Sequence, residues 1–570
     1  YLDKTSVIDV SGIDATAPME RNQLEIELFS DQLKDVPLLR DSQLFKETVY
    51  VDKRKGTTLT DTKPFELLKK QTVAEILTKG GSVTLGGEAI QREGSVIDVS
   101  GGSTTFLPGQ IKETTLTYNG KAIPISEINP NTTLPDVSDI KIQRFEKWGV
   151  ARVWDLSGGG TKGNGRVVKL SDLNKVSPVG AMQAGYKVGD DAGKIVSVDS
   201  TEQRKEAAFK VQEGTLLANT FTGETQRLPG QAPKGGEVAL AGNFTNEASK
   251  LSEDFDADTV LSDSNTLRKT NTDFIKNGFN RITLLGEVNT DLNVGANGSV
   301  DVQSTTIGTA TYGAVNGNII APSSDITLTD VNVADGVTIS SAGTFTNDRP
   351  AVGGAQQALA VNAGDISVNT QRAGSVGKDV TIDASAGAFV DAKGKVYKGE
   401  AGDIDLVVNG TNVGQDGTLK AYGFNQGGRL SITSDTKVNV AGTVEADAIN
   451  LAANFFKQGG FAEYNISTDG DVVIGNGGKT DVYATMQTLR ADSGLINQKN
   501  SQSIIDATSI WSAPDYARPA TSISLATTNN DKKLTLNENA TIRTDVGGTV
   551  SLSAETKMEV LCLLYTSPSP

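Results

Sequence analysis

Three observations predict that this 570-residue chain folds as an all-β protein, a parallel β-helix (β-solenoid) with irregular β-rich and short helical excursions. Short strand motifs recur along the chain. They recur at about the length of one solenoid rung. Gly is frequent (61 of 570) and aromatic residues are scarce (5%), which suits a narrow core of small and branched side chains entered through Gly turns.

The heptapeptide Ser6–Gly12 (Ser-Val-Ile-Asp-Val-Ser-Gly) returns unchanged at Ser95–Gly101, and Gly298–Val302 echoes it. A looser pattern places a Gly two residues ahead of two alternating apolar residues. It occurs at 81–85, 236–240, 364–368, 402–406, 428–432, 470–474 and 548–552. Each copy reads as a short strand with period-2 alternation. From Val380, strand starts at Ile404, Leu430, Ile449 and Val472 follow at steps of roughly 19–26 residues, one rung each. About 18 rungs stacked ~4.8 Å apart would extend roughly 85 Å. A β-sandwich array is the alternative for the same strands, but it calls for more aromatics and regular domain-length units.

Residues 1–103 read as rungs carrying a charged loop (Arg21–Asp52, alternating at Leu24, Ile26 and Leu28) and a short helix at 64–79. In that helix Pro64 suits the first turn, Phe65, Leu68, Val73, Ile76 and Leu77 share one face, and Gly80 suits the end. The helix is expected to pack as a cap on the solenoid. Residues 104–234, with seven Pro and two of the three Trp, read as an irregular β-rich excursion. Residues 235–561 read as rungs again, with a polar insertion at 246–276. Residues 562–570 (Cys-Leu-Leu-Tyr-Thr-Ser-Pro-Ser-Pro) resemble a translated sequencing adaptor and are set aside. With Tyr1 at its start, the chain is expected to be an internal fragment of a larger exoprotein.

Composition removes several function classes. There is no His, so neither a Ser-His-Asp triad nor a Cys-His pair exists. The single Cys makes neither an internal disulfide nor a zinc site. A net charge of −16 argues against nucleic acid as a partner. No apolar run is long enough for a transmembrane helical segment.

Several stretches carry a family resemblance. They are Met19–Leu28 with Pro37–Asp41 and Thr48–Asp52, Thr72–Glu75 with Gly80–Val83, and Ser95–Gly102. Ile128–Asn131, Trp148–Val150, Gly185-Tyr186 with Asp190–Gly193, and Gly343–Pro350 follow in collinear order over residues ~1–350. The chain resembles the filamentous haemagglutinin family outer membrane proteins, large exoproteins of Gram-negative bacteria exported by two-partner secretion. The resemblance implies a right-handed parallel β-helix and export through an outer-membrane two-partner transporter barrel. It implies a secreted or cell-surface adhesin at the outer membrane, with a host or bacterial surface receptor or glycan as partner. The family's N-terminal secretion domain and any C-terminal effector module lie outside the matching stretches. The leading expectation is therefore a non-enzymatic adhesin-type stalk. The alternatives are the stalk of a contact-dependent toxin delivery protein and a polysaccharide-active β-helix enzyme.

No catalytic, cofactor-binding or metal-binding residue is assigned, and no cofactor is expected. Gly158–Gly163 fits a dinucleotide pattern formally, but no helix follows, so a hairpin loop is expected. Gly475–Tyr483 resembles a single calcium-binding nonapeptide, whose sites need tandem copies; a plain turn is expected. The acidic turns at Asp190, Asp191, Glu253, Asp254, Asp256 and Asp258 read as solvated surface rather than a weak calcium site. Trp148, Trp154 and Phe145 read as the small core of the excursion rather than a sugar-stacking platform. Carboxylates are abundant but scattered at turns, which counts against hydrolytic pairs.

Overall fold

The computed structural model describes residues 1–27, 48–57, 62–69, 72–86, 89–118, 121–127, 140–145, 150–155, 165–168, 174–197, 209–228, 230–261, 267–307, 309–349, 358–370, 374–408, 417–491, 493–501 and 503–561. It is strand-rich and divides into two compact units. The first comprises Tyr1–Ile13, Thr78–Ser103 and Val188–Pro570; the second comprises Asp14–Leu77 and Thr104–Lys187.

The Gly-led motifs build the first unit. The first apolar residues of most of them, together with Ile282, Ile326, Tyr464 and Ile523 on strands that lack the leading Gly, stack in register as one column of parallel strands. The column runs Val83, Ile195, Val238, Ile282, Val300, Ile326, Ile366, Ile404, Leu430, Tyr464, Ile523 and Val550. All but Val550, on the edge strand, are buried. These strands belong to a sheet of sixteen among the described residues. The two copies of the repeated heptapeptide also stack directly on each other: Val7, Ile8 and Asp9 pair with Val96, Ile97 and Asp98. Both copies close with the same turn, in which the Asp carboxylate accepts the amide of the Ser two residues on.

The Gly of the motif has a steric cause. A Cβ on Gly402 would lie 2.1 Å from the Gly364 carbonyl oxygen, and one on Gly428 would lie 1.9 Å from that of Gly402. The residue after it supplies a second tie between rungs. Asp325 Oδ1 accepts the amide of Asp365 at 3.0 Å, Asp365 Oδ1 that of Asp403 at 2.8 Å, and Asp403 Oδ1 that of Arg429 at 2.8 Å. Each such bond satisfies a backbone donor that otherwise has no ladder partner. The Arg429 guanidinium lies 3.1 Å from Asp403, relieving the column of like charges.

The even rung step expected from Val380 does not describe a single ladder. Ile404 and Leu430 lie in the long column, but Ile449 and Val472 pair with Val438 in a second parallel ladder that continues to Leu534 and Met558. Val380 precedes Thr381–Asp383 in a third ladder, Leu292, Ile319, Ile339, Ile382 and Leu419. From Val300 to Ile523, equivalent positions of the long column are separated by 26, 40, 38, 26, 34 and 59 residues. Extra segments within rungs, such as the hairpin Thr305–Ile307/Ala310–Tyr312, account for the uneven steps. The Gly470 copy of the motif belongs to the second ladder, not the long column.

The second unit is mostly antiparallel. Gln23–Glu27 pairs with Thr48–Asp52, and Gly109–Tyr118 lies between Lys121–Pro124 and Asn174–Gln183. Ile140–Phe145, Val150–Asp155 and Gly165–Val168 form a further meander. The alternation at Leu24 and Ile26 is realised, with both side chains buried; Leu28 lies outside the described residues. The units depart from the expected boundaries. Residues 14–77 belong here rather than with the rungs of 1–103. Residues 188–234 belong to the first unit rather than to the 104–234 excursion, because Lys194–Ser197 joins Ser82–Leu85 in parallel.

The single helix expected at 64–79 is corrected. Two short helices stand there, Lys63–Leu68 and Val73–Ile76. Thr72 and Glu75 form a capping box, which starts a new helix instead of continuing the first. Val73, Ile76 and Leu77 are exposed, so they do not extend a buried face with Phe65. The Lys69 ammonium beyond the first helix donates to the carbonyl oxygens of Arg21 (2.8 Å) and Gln23 (2.6 Å).

Candidate functional site

In the first unit Ile90–Gln91 pairs with Val211–Gln212 and Val96–Asp98 with Thr215–Leu217, so the two intervening turns stack. This places Arg92 beside Glu213, with Nε 3.3 Å from Oε2 and both side chains 3% exposed. The remaining bonding capacity of the pair gathers residues of the polar insertion. Arg92 Nη2 donates to Ser252 O at 2.9 Å, and Nη1 donates to Phe255 O. Glu213 accepts the amide of Leu251. Tyr1 Oη donates to the same Phe255 carbonyl at 2.9 Å. Burial opposes the Arg92 charge, yet its contacts with Tyr1 and Glu213 outweigh that and hold its pKa above the usual value. Residues 250–255 are thus strapped to a buried ion pair, which a solvated insertion would not need.

Between this strap and the short helix Asp273–Lys276 opens a cleft of about 460 Å³. Glu93, Gln212, Thr215, Lys250, Asp273 and Asn277 are among its lining residues. Its charges are compensated within the unit. Lys250 lies 2.8 Å from Glu93 and Lys276 2.9 Å from Asp273. Lys250 holds the Glu93 carboxyl below its ordinary range. A general acid at neutral pH needs a raised carboxyl, and Glu93 is pushed the opposite way. The cleft is suited to hydrogen bonding with a polar ligand through its amides and hydroxyl.

A second cluster sits where the calcium-like motif Gly475–Tyr483 folds. Gly475 and Gly477 adopt φ of 77° and 86°, and Thr480–Ala484 pairs in parallel with Ala540–Thr544. Asp481 is bound by Arg543 at 2.7 Å, and the Arg543 guanidinium lies 3.9 Å from the Tyr483 ring centre. Tyr483 Oη donates to Asp545, whose Oδ1 also accepts Arg518 Nη2 at 2.8 Å. The motif's carboxylate therefore ties one rung to the next.

The other sequence candidates are dispersed. Asp190 accepts the Thr78 hydroxyl at 2.8 Å, Asp191 accepts the Lys234 amide at 2.8 Å, and Asp256 accepts the Thr259 hydroxyl at 2.6 Å. Asp190 and Asp191 tie neighbouring turns, while Asp256 bonds only within its own turn and is exposed. Glu253, Asp254 and Asp258 lie in the strapped segment's neighbourhood in sequence. Among the described residues no group of three or more acidic or Cys side chains converges as a metal site. Gly158–Gly163 and Trp148 lie outside the described residues. Phe145 and Trp154 lie on paired antiparallel strands. Sequence patterns did not reveal Arg92 and Glu213, which are 121 residues apart. Nor did they single out Trp511, 39% exposed, on the hairpin Thr488–Arg490/Ser509–Trp511. Their only signals were a charged residue beside a strand motif and a Trp outside one.

No protein-family model matches the chain, and no curated protein or solved structure matches it.

Proposed function

We propose that the chain is part of a non-enzymatic exported exoprotein whose parallel ladders are the coils of a right-handed β-helix, serving as an adhesin-type stalk. The observation that carries this reading is the long in-register column from Val83 to Val550. Such a column is held mainly by contacts between neighbouring rungs, so it can nucleate at one end and grow rung by rung. That property suits a chain that folds as it emerges from a secretion pore. Threading also favours chains without internal disulfides, and one Cys forms none.

The resemblance to filamentous haemagglutinin family exoproteins supports the rest of the reading. Export would use an outer-membrane two-partner transporter barrel. The mature protein would be secreted or held at the surface of a Gram-negative bacterium and would bind a host or bacterial receptor or glycan. The test is to apply the purified chain to host cells, matrix glycans and sister bacteria. Saturable binding to at least one is expected. Absence of binding to all three overturns the adhesin role.

A further inference from the structure

A small core apart from the three ladders joins two antiparallel strand pairs, or hairpins, of the first unit. Phe345, Val390, Leu489, Leu495 and Ile504 are buried in it together. One hairpin is Ala388–Val390/Val396–Lys398, and the other is Thr488–Arg490/Ser509–Trp511. The segment after Phe345 ties them. Asn347 Nδ2 donates to Ile496 O at 3.1 Å and Gln498 O at 2.9 Å. Arg349 Nη1 donates to Ile496 O at 2.9 Å, and its Cδ lies 3.8 Å from where a Cβ on Gly394, at the tip of the first hairpin, would sit.

Each hairpin carries a cation above a partly exposed ring. Arg490 lies 5.5 Å from the Trp511 ring centre, and Lys395 lies 4.5 Å from that of Tyr397. Trp511 is 39% and Tyr397 38% exposed. Elsewhere in the unit Arg92, Arg227, Arg518 and Arg543 each meet a carboxylate. Arg490, Lys393, Lys395 and Lys398 form no ion pair among the described residues. Asp391, in the same turn, accepts the amides of Lys393 and Lys395, so the first hairpin sets three lysines against one carboxylate and keeps a net positive charge in a chain of net charge −16.

A ring face beside an unpaired cation suits a ligand that is itself a ring with an anion attached. The C–H face of a sugar packs on the Trp511 indole, and a carboxylate on that sugar accepts two parallel hydrogen bonds from the Arg490 guanidinium; the Tyr397 ring is already stacked on Phe389, so the first hairpin contributes its lysines instead. We propose that the two hairpins bind uronate residues of an acidic polysaccharide. With the Arg490–Trp511 pair and the lysines of the first hairpin joined by one core, a polymer can engage both, so its second contact is intramolecular.

The inference names a ligand class for the adhesive reading and depends on that reading for its biological sense. Its test is calorimetric titration of the full chain with polygalacturonate oligomers, their methyl esters and single-stranded DNA of equal charge. Polygalacturonate is expected to bind, more weakly as salt rises, and at least about tenfold tighter than its neutral methyl ester. Arg490→Gln and Trp511→Ala, each checked for unchanged circular dichroism, should each weaken binding about tenfold. Lys395→Ala should weaken long oligomers more than a single disaccharide, while Lys4→Ala leaves both unchanged. Equal binding of the methyl ester, equal binding of DNA, or indifference to Arg490→Gln and Trp511→Ala would overturn the inference. If cells are bound and polygalacturonate is not, the ligand class alone fails. If polygalacturonate is bound and no cell is, the adhesin role alone fails.

Discussion

The two units solve strand pairing in opposite ways. In the first, neighbouring strands are mostly parallel and come from segments tens of residues apart, so a recurring local motif must set the register. Gly364, Gly402 and Gly428 let backbones approach, and Asp325, Asp365 and Asp403 each reach the next rung's amide. In the second, strands such as Lys121–Pro124 and Gly109–Tyr118 pair antiparallel across a short turn, so connectivity sets the register and no motif needs to repeat. Specific side chains finish that unit: Arg21 holds Glu75, and Lys69 caps strand carbonyls. Gly109–Tyr118 also pairs with the distant Asn174–Gln183 without any repeated motif, so repetition marks parallel stacking rather than distance in sequence.

Three substitutions probe this contrast, from the largest expected effect to the smallest. Ile404 is fully buried between Ile366 and Leu430. Ile404→Ala should cost about 2–5 kcal/mol through lost transfer energy and a cavity. Hydrogen exchange should rise most in Ile366–Asn369 and Arg429–Ser434 and hardly at all in the second unit; uniform loosening of the chain would break the nearest-neighbour picture. Gly402→Ala puts a Cβ 2.1 Å from a carbonyl oxygen, so rungs must part locally. A loss of about 1–3 kcal/mol in denaturant unfolding is expected. Ala at Gly477, where a Cβ meets nothing within 4 Å, lacks that clash and bears only the strain of its positive φ.

The third concerns the second unit. The Arg21 guanidinium beside it holds the Glu75 carboxyl down at about 2, below its ordinary 4.5. Because the folded value is depressed, the pair's contribution is present above pH 4.5 and is lost as pH falls through 2. Solvent screening limits it to about 1 kcal/mol or less. Exchange rates of Gln23–Glu27 and Thr48–Asp52 should differ between the native chain and Glu75→Gln at pH 6, and the difference should shrink steadily below pH 4.5. A difference that persists at pH 2 would show that the capping box, rather than the ion pair, is what the substitution removes.

The fold was legible where chemistry repeats. Gly-Asp-Ile at 364–366 and 402–404, Gly-Arg-Leu at 428–430 and the paired heptapeptides announced strands that stack, and they stack on one another. The uniform step inferred beyond Val380 failed because strands of three ladders share one appearance: Ile449 and Leu430 look alike locally, yet lie in different sheets. The helix at 64–79 failed because apolar periodicity outweighed the Thr72–Glu75 capping signal. The candidate sites were barely legible. Arg92 and Glu213 meet across 121 residues, and no local pattern anticipates a contact that depends on two turns stacking.

By itself the sequence determined the strand-rich class, a core rich in branched aliphatic side chains and the absence of His chemistry, because these follow from composition and from period-2 patterning that needs no partner. Tertiary structure decided which strand meets which, and hence where charges are buried, left unpaired or set above exposed rings. A parallel rung has no short turn to fix its neighbour. Its partner is chosen only when whole rungs close on one another, and Arg92 meets Glu213 only after that choice is made.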